Sequence, residues 1–188
     1  MDRSIIPLFV VALAASAPAL ANETIPVPHF DGVGLRGGGQ VVIVPGPVER
    51  VTIVEGSSRF THIYVERGGG LNIEACDREC PREYRLRVEV ESPRVPALSV
   101  EGGGAISVAP GFASAGEIVA AVRGGGQIDT RAIDAGAVTA AVNGGGDLLV
   151  RARSTLTGAV RGGGAVRFWG HPAVTSAIDG GGSIEPGH

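Results

Sequence analysis

The chain contains no lysine, and all of its 16 basic residues are arginine. A P-loop lysine, a Schiff-base lysine and a lysine general base are therefore excluded. Aromatic residues make up only 4% of the sequence, so a core must be built from valine, isoleucine, leucine and alanine. The net charge of −3 comes from interspersed residues. No basic patch of the kind that binds nucleic acid or an anionic membrane is visible, and we expect no nucleic-acid partner.

Long apolar runs are also missing after the first 21 residues, and no later run approaches the roughly 20 residues that a membrane span needs. Residues 1–21 predict a secretory signal peptide. Arg3 precedes an apolar run, and small residues lead to Ala19-Leu20-Ala21, a typical cleavage pattern. We therefore expect a protein exported from the cytoplasm, in which residues 22–188 form one domain.

Cysteine occurs only twice, at Cys76 and Cys80. An exported chain reaches compartments where disulfides form and persist, so we predict that the two cysteines pair. A zinc site is the alternative, but zinc needs about four ligands, and neither the spacing nor the four scattered histidines supply them. We expect no metal and no cofactor.

Glycine is abundant and is arranged in triplets, which begin at Gly37, Gly68, Gly102, Gly124, Gly144, Gly162 and Gly180. The last five triplets recur at intervals near 20 residues, a period that indicates a solenoid. An aliphatic residue stands two positions before each of these five and another two positions after it. The residues before are Val100, Val122, Val142, Val160 and Ile178, and those after are Ile106, Ile128, Leu148, Val166 and Ile184.

Strand residues alternate between two faces, so the aliphatic positions and the first and third glycines are predicted to share the inner side. The middle glycine then faces outward. We predict an all-β fold, a single-stranded β-solenoid (parallel β-helix) with coils of about 18–22 residues stacked triplet over triplet. Regular coils are expected at 99–188 and a less regular region or cap at 22–98. The structural glycines are Gly102, Gly104, Gly124, Gly126, Gly144, Gly146, Gly162, Gly164, Gly180 and Gly182.

The stretches "FDGVGLRGGGQVVIVPG", "YRLRVEVESPRVPALSVEGGGAI" and "FWGHPAVTSAIDGGGSI" resemble the bacterial family named "putative auto-transporter adhesin, head GIN domain". The resemblance covers residues 30–185. It implies a β-helical fold and a bacterial protein that is exported to the periplasm or to the cell surface, and it brings no catalytic residues. Members commonly show Gly-Ser-Gly where this chain has Gly-Gly-Gly.

Polar residues border the triplets on both sides. Just before the glycines stand Glu101, Arg123, Asn143, Arg161 and Asp179. Between these and the residues after the glycines we predict a shallow trough with a glycine floor, suited to a glycan or peptide. Its candidate ligand-binding residues are Arg123, Asn143, Arg161, Gln127, Asp147 and Trp169. Arginine would contact the carboxylates of an acidic polysaccharide. The alternative is an inert surface on which the charges neutralise one another.

Trp169 is open to two interpretations, a stacking platform beside His171 or a cover over the C-terminal end of the core.

Catalytic motifs are missing, although Asp129, Asp134 and Asp147 suit a glycosidase by analogy of fold. We predict a non-enzymatic cell-envelope binding or structural module. Its expected partners are a polysaccharide, an envelope protein, or a second copy through the coil ends. A carbohydrate-active enzyme that uses the same face is the alternative.

Overall fold

The computed structural model describes residues 22–76 and 79–188, and the predicted signal peptide lies outside these ranges. The described residues form sixteen β-strands and no helix, hence no helix that could cross a membrane. In chain order they are β1 (Glu23–Ile25), β2 (Gly32–Gly37), β3 (Gln40–Pro45), β4 (Arg50–Glu55), β5 (Thr61–Val65), β6 (Gly70–Ala75), β7 (Arg87–Ser92), β8 (Ala97–Gly102), β9 (Ala105–Val108), β10 (Ala115–Gly124), β11 (Gln127–Asp129), β12 (Ala135–Gly144), β13 (Asp147–Gly162), β14 (Ala165–Trp169), β15 (Ala173–Asp179) and β16 (Ser183–Pro186).

The strands form two half-sheets that β13 joins. Half-sheet 1 contains, in spatial order, β1, β4, β7, β3, β9, β11, the first part of β13, β14 and β16. Half-sheet 2 contains β5, β6, β2, β8, β10, β12, the second part of β13 and β15. A single 16-stranded sheet therefore folds back on itself at β13 and encloses the core between its two halves.

The predicted single-stranded parallel β-solenoid is wrong. The strands belong to one sheet of mixed order that curls into a nearly closed barrel, and the pairs β1–β4, β4–β7 and β5–β6 are antiparallel. The two ends of the sheet approach each other where Ser58, just before β5, donates hydrogen bonds to Glu23 in β1. Each regular repeat supplies two strands, one to each half-sheet. Hydrophobic alternation is the same in parallel and antiparallel strands, so the sequence period could not reveal this topology.

The N-terminal repeats are also not added in the order of the sequence. β2 pairs with β6 and β8, and β3 pairs with β7 and β9. Residues 32–45 consequently lie between residues 70–92 and residues 97–108. The antiparallel strands β4 and β5 complete this end of the molecule. The predicted disulfide between Cys76 and Cys80 is confirmed, in the loop that follows β6.

The glycine triplets form the corner at which the chain passes from half-sheet 2 to half-sheet 1. Gly102, Gly124, Gly144 and Gly162 pair with one another in register, which confirms the predicted stacking of triplet over triplet. Their φ angles lie between +107° and +127°, a backbone conformation that residues with side chains rarely adopt. The prediction that these first glycines face the core is wrong, because the bend ends the alternation of the strand. The third glycines are the buried ones.

The core lies between the half-sheets and consists of branched aliphatic residues. Eight of the ten aliphatic residues predicted to point inward are buried; they are Val100, Val122, Val142, Val160, Ile106, Ile128, Leu148 and Val166. The exceptions are Ile178 and Ile184, in the last repeat. These two residues are less covered because no further strand lies beyond β15 or β16 among the described residues.

Candidate functional site

The outer face of half-sheet 2 carries a row of charged and amide side chains beside the glycine corner. We call this row the charged ladder; in spatial order it consists of Glu74, Arg36, Glu101, Arg123, Asn143, Arg161 and Asp179. Each member stands opposite the next in strand register, because each directly follows an inward aliphatic residue of its strand. Strand spacing separates neighbours by about 4.8 Å.

Ion pairs join the first four members of the charged ladder. The Arg36 guanidinium contacts Glu74 at 3.0 Å and Glu101 at 3.0 Å, and Arg123 lies 3.7 Å from Glu101. The predicted neutralisation of charge is therefore present at this end. The neutralisation of charge is weaker toward β15, since no ion pair joins Arg161 to another of the described side chains. Arg161 thus presents an exposed guanidinium that an external anion can reach.

Two rows of small side chains run alongside the charged ladder. The first, here called the floor row, consists of Gly34, Ser99, Ala121, Ala141, Ala159 and Ala177. The second contains Val119, Thr139, Thr157 and Thr175, which pair in register on the same face. No aromatic or long aliphatic side chain rises from the floor row, so a flat ligand can approach the backbone closely.

The floor row deepens over Gly34 into a depression of about 160 Å³, which Asn72, Ser99 and Arg123 also line. A Cβ at Gly34 would lie 2.9 Å from the Ser99 hydroxyl oxygen and 3.4 Å from Asn72 Oδ1. Any side chain at position 34 would therefore fill the depression. Gly34 is required here by space, because its φ is not positive.

Aromatic residues stand beside the depression, on β5. Tyr64 pairs with Asn72 in the sheet, and the His62 and Tyr64 rings are 4.6 Å apart between centroids. The Tyr64 hydroxyl donates a 2.9 Å hydrogen bond to Glu74. This hydrogen bond and the one from Arg36 outweigh burial and lower the pKa of Glu74, while the hydrogen bond to Glu74 raises the pKa of Tyr64. The depression, lined by Arg36, Asn72 and Glu101, thus lies next to an aromatic ring and an anionic carboxylate on the neighbouring strands.

The structure divides the predicted ligand-binding residues between two faces. Arg123, Asn143 and Arg161 lie on half-sheet 2, whereas Gln127 and Asp147 pair with each other on half-sheet 1. The core lies between the half-sheets, so the glycine corner that separates these groups is convex. The predicted trough with a glycine floor is not formed.

Trp169 lies on the outer face of half-sheet 1, at the end of β14, while its neighbour Phe168 packs against the core. The Arg131 guanidinium lies 5.0 Å from the centre of the Trp169 ring, and Asp129 holds it through hydrogen bonds of 2.6–3.1 Å. Burial alone would raise the pKa of Asp129, but the hydrogen bonds from Arg131 hold that pKa below its ordinary value. One side of the Trp169 ring is thus already occupied by a cation.

The carboxylates considered for catalysis are each engaged by an arginine. Asp129 binds Arg131, Asp134 lies 3.7 Å from Arg151, and Asp147 lies 3.7 Å from Arg167. Within residues 22–76 and 79–188, no three His, Cys, Asp or Glu side chains are grouped so that they could hold a metal ion.

Sequence reasoning missed Arg36, Gly34, Asn72 and Tyr64. Arg36 had a usable signal, because it directly precedes the triplet at Gly37 as Arg123 precedes the triplet at Gly124. The other three became neighbours only because β2 inserts between β6 and β8.

Residues 109–172 match the family model described as "Putative auto-transporter adhesin, head GIN domain". The resemblance to the head GIN domain family is confirmed for these residues. The match spans β10 to β14, the part of the chain with the most regular repeats, and it includes Arg123, Asn143 and Arg161 of the charged ladder. No curated protein matches the chain.

A solved structure extends the likeness of fold beyond the residues that match the family model. A crystal structure from Bacteroides fragilis, described as a putative adhesin, is 16% identical with a TM-score of 0.55, covering 90% of this chain and 98% of its own. The two proteins share a fold. A putative adhesin from Parabacteroides distasonis is 16% identical with a TM-score of 0.45, covering 89% of this chain and 96% of its own. A putative lipid binding protein from the same organism is 17% identical with a TM-score of 0.36, with the same coverage.

Proposed function

We propose that the protein is an exported, non-enzymatic binding module of the bacterial envelope, and that the outer face of half-sheet 2 binds an acidic polysaccharide. The observation that carries the proposal is the composition of this face, on which the charged ladder borders the floor row and ends at the depression over Gly34. The family match and the Bacteroides fragilis structure support an adhesin-like role.

The spacing of the charged ladder favours a repeating ligand. Arg123 and Arg161 stand two strands apart, with Asn143 between them. Twice the strand spacing places their backbone positions roughly 9–10 Å apart. Guanidinium groups bind carboxylates through two parallel hydrogen bonds, so acidic groups that recur along a sugar chain at this interval can engage both arginines.

The depression over Gly34 supplies a second type of contact. Asn72 and Ser99 offer polar atoms at its base, and Tyr64 stands beside it. Sugar rings combine hydroxyl groups with an apolar face, and an amide together with an aromatic ring matches that combination. We place one end of the bound polysaccharide here and its acidic groups along the ladder toward Arg161.

Two carboxylates near the depression, Glu74 and Glu101, are close enough to raise the enzymatic alternative, because both contact Arg36. A glycosidase needs one carboxyl group whose pKa is raised, so that it can donate a proton to the leaving oxygen. Hydrogen bonds from Tyr64 and Arg36 instead lower the pKa of Glu74. Glu74 is therefore unsuited to the role of general acid.

The test measures binding of the purified protein to immobilised polygalacturonate, hyaluronate and neutral dextran. We expect binding to the two uronate polymers, weakened at high salt, and none to dextran. The double variant Arg123→Ala/Arg161→Ala should lose this binding. Arg151→Ala/Arg167→Ala is the matched control, since it removes the same charge from exposed side chains of half-sheet 1.

Equal binding by both double variants would overturn the assignment of this face. The same incubations are assayed for new reducing ends and for unsaturated uronate products. Release of either product by the wild-type protein would establish the enzyme in place of the binding module.

A further inference from the structure

The last strand of half-sheet 2 is an unprotected edge. All seven residues of β15 are exposed, on both of its faces, and β13 is its one partner among the described strands. An edge strand presents unpaired N–H and C=O groups to which another strand can add. At the same end of the molecule, half-sheet 1 finishes differently. There β16 contains Pro186, which donates no hydrogen bond, and Glu185, whose charge disfavours pairing.

β15 also exposes apolar side chains that continue the core. Val174 and Ile178 pair in register with Leu156 and Val160, which are 0% exposed. Val174 itself is 42% exposed and Ile178 is 48% exposed. The difference arises because β13 is covered by β15, whereas nothing among the described residues covers β15. One added strand would bury both residues.

The sequence of β15 is complementary to itself in the antiparallel direction. Pairing about Ser176 sets Val174 of one copy opposite Ile178 of the other, and Thr175 opposite Ala177. Asp179 then faces Ala173 rather than another carboxylate. Apolar residues meet on the core side, and no like charges stand opposite each other, which is the condition for a stable cross-strand register.

We infer that two copies of this chain associate through antiparallel pairing of their β15 strands, with Ser176 on the twofold axis. The interface is isologous, the commonest arrangement in homodimers. It joins half-sheet 2 of one copy to half-sheet 2 of the other in one longer sheet, and it covers Val174 and Ile178 of both copies. A dimer of this kind carries two ligand-binding faces, so its avidity for a long polymer exceeds that of one copy. The dimer does not depend on the proposed polysaccharide function.

The first test is the molar mass of the purified protein, measured by light scattering over a wide range of concentrations. We expect a mass that approaches twice that of one chain, and a loss of the dimer in Ile178→Lys. Thr175→Lys is the matched control, because it adds the same charge to the outer face of the same strand. A wild-type protein that remains monomeric throughout, or equal dissociation in both variants, would overturn the inference.

The second test keeps the native apolar surface and therefore stays informative if Ile178→Lys misfolds. In the proposed register, a cysteine in place of Ser176 lies opposite its own copy, within the Cα distance of about 4.4–6.8 Å that a disulfide requires. Ser176→Cys should form a covalent dimer under mild oxidation. Ala173→Cys should not, because residue 173 faces residue 179 of the other copy. Equal cross-linking in the two variants would contradict this register.

Discussion

A Cβ placed on Gly126 would lie 2.6 Å from the carbonyl oxygen of Gly104, the corresponding glycine of the neighbouring repeat. It would also collide with a Val100 methyl group. Real Cβ atoms do not approach a backbone oxygen so closely, and backbone cannot move aside as a side chain can. The third glycine of a triplet is therefore required by the close approach of stacked strands, and the first by its positive φ.

The three glycines of one triplet should accordingly differ in their tolerance of a side chain. Gly126→Val should lower the free energy of unfolding by about 1–3 kcal/mol through overpacking, and Gly124→Val by a similar amount through strain at its φ of +107°. Gly125→Val should change it by less than about 0.5 kcal/mol, because a Cβ at Gly125 meets nothing within 4 Å. Urea unfolding of the three variants measures these differences, and equal losses would refute the corner geometry.

The depression over Gly34 gives a second prediction, in which stability and binding separate. Gly34→Ala should lower the free energy of unfolding by about 1 kcal/mol, because the new methyl group meets the Ser99 hydroxyl at 2.9 Å. Adding Ser99→Ala removes that oxygen and should restore most of the stability. Thermal unfolding of both single variants and the double variant checks this.

Polysaccharide binding should be weakened in Gly34→Ala, because the methyl group at position 34 occupies the depression. It should not recover in Gly34→Ala/Ser99→Ala, because that methyl group is still present. Recovery of binding together with stability would place the ligand away from Gly34. Ala159→Gly, in the same floor row but two strands beyond Ala121, which lines the depression, is the control for a general effect of side-chain size on this face.

The glycine triplets predict much of this structure but not its topology. Their spacing and the aliphatic residues around them, such as Val122 and Ile128, correctly predicted the stacking of repeats and the buried positions. That pattern did not distinguish a straight strand from a bend at Gly124, because both satisfy the same spacing. The insertion of β2 between β6 and β8 is a long-range choice that local alternation does not encode.

The same limit applies to the candidate binding face. Arg123 and Arg161 were predicted because they recur at the period of the repeat. Tyr64 and Asn72 belong to an antiparallel pair outside that period, so nothing in the sequence connected them to Arg123. Gln127 and Asp147 were placed on the same surface because the bend between half-sheets was not foreseen.

Glu74 should contribute to the dependence of stability on pH. Its pKa in the folded protein is lowered from the reference value of 4.5, chiefly by the hydrogen bond from Tyr64. A carboxyl group whose folded pKa is depressed stabilises the protein above its unfolded pKa, and this contribution is lost as the pH falls through the folded value. Glu74→Gln should therefore be less stable than wild type near pH 7, and the difference should shrink below about pH 4.5.

Thermal unfolding from pH 7 to pH 3 checks this expectation for Glu74. Glu117→Gln is the control, because the Glu117 carboxylate is exposed and, among the described residues, accepts only a 3.4 Å hydrogen bond from Thr139. A difference between Glu74→Gln and wild type that stays constant over this range would show that the carboxylate contributes through packing rather than charge.

Trp169, the one tryptophan of the chain, provides an optical test of the outer face of half-sheet 1. Arg131 covers one side of its ring at 5.0 Å, and the backbone at Gly187 lies so close to the ring that a Cβ there would collide with it. Arg131→Ala should remove the first cover, shift the fluorescence emission to longer wavelength and increase quenching by acrylamide. Asp129→Asn should act in the same direction but more weakly, because Asp129 only holds the Arg131 guanidinium in place.

Arg153→Ala is the matched control, since it removes an exposed arginine that has no described contact with Trp169. Unchanged emission in Arg131→Ala would show that the guanidinium does not cover the ring in solution, and Trp169 would then be free to act as the stacking platform that the sequence suggested.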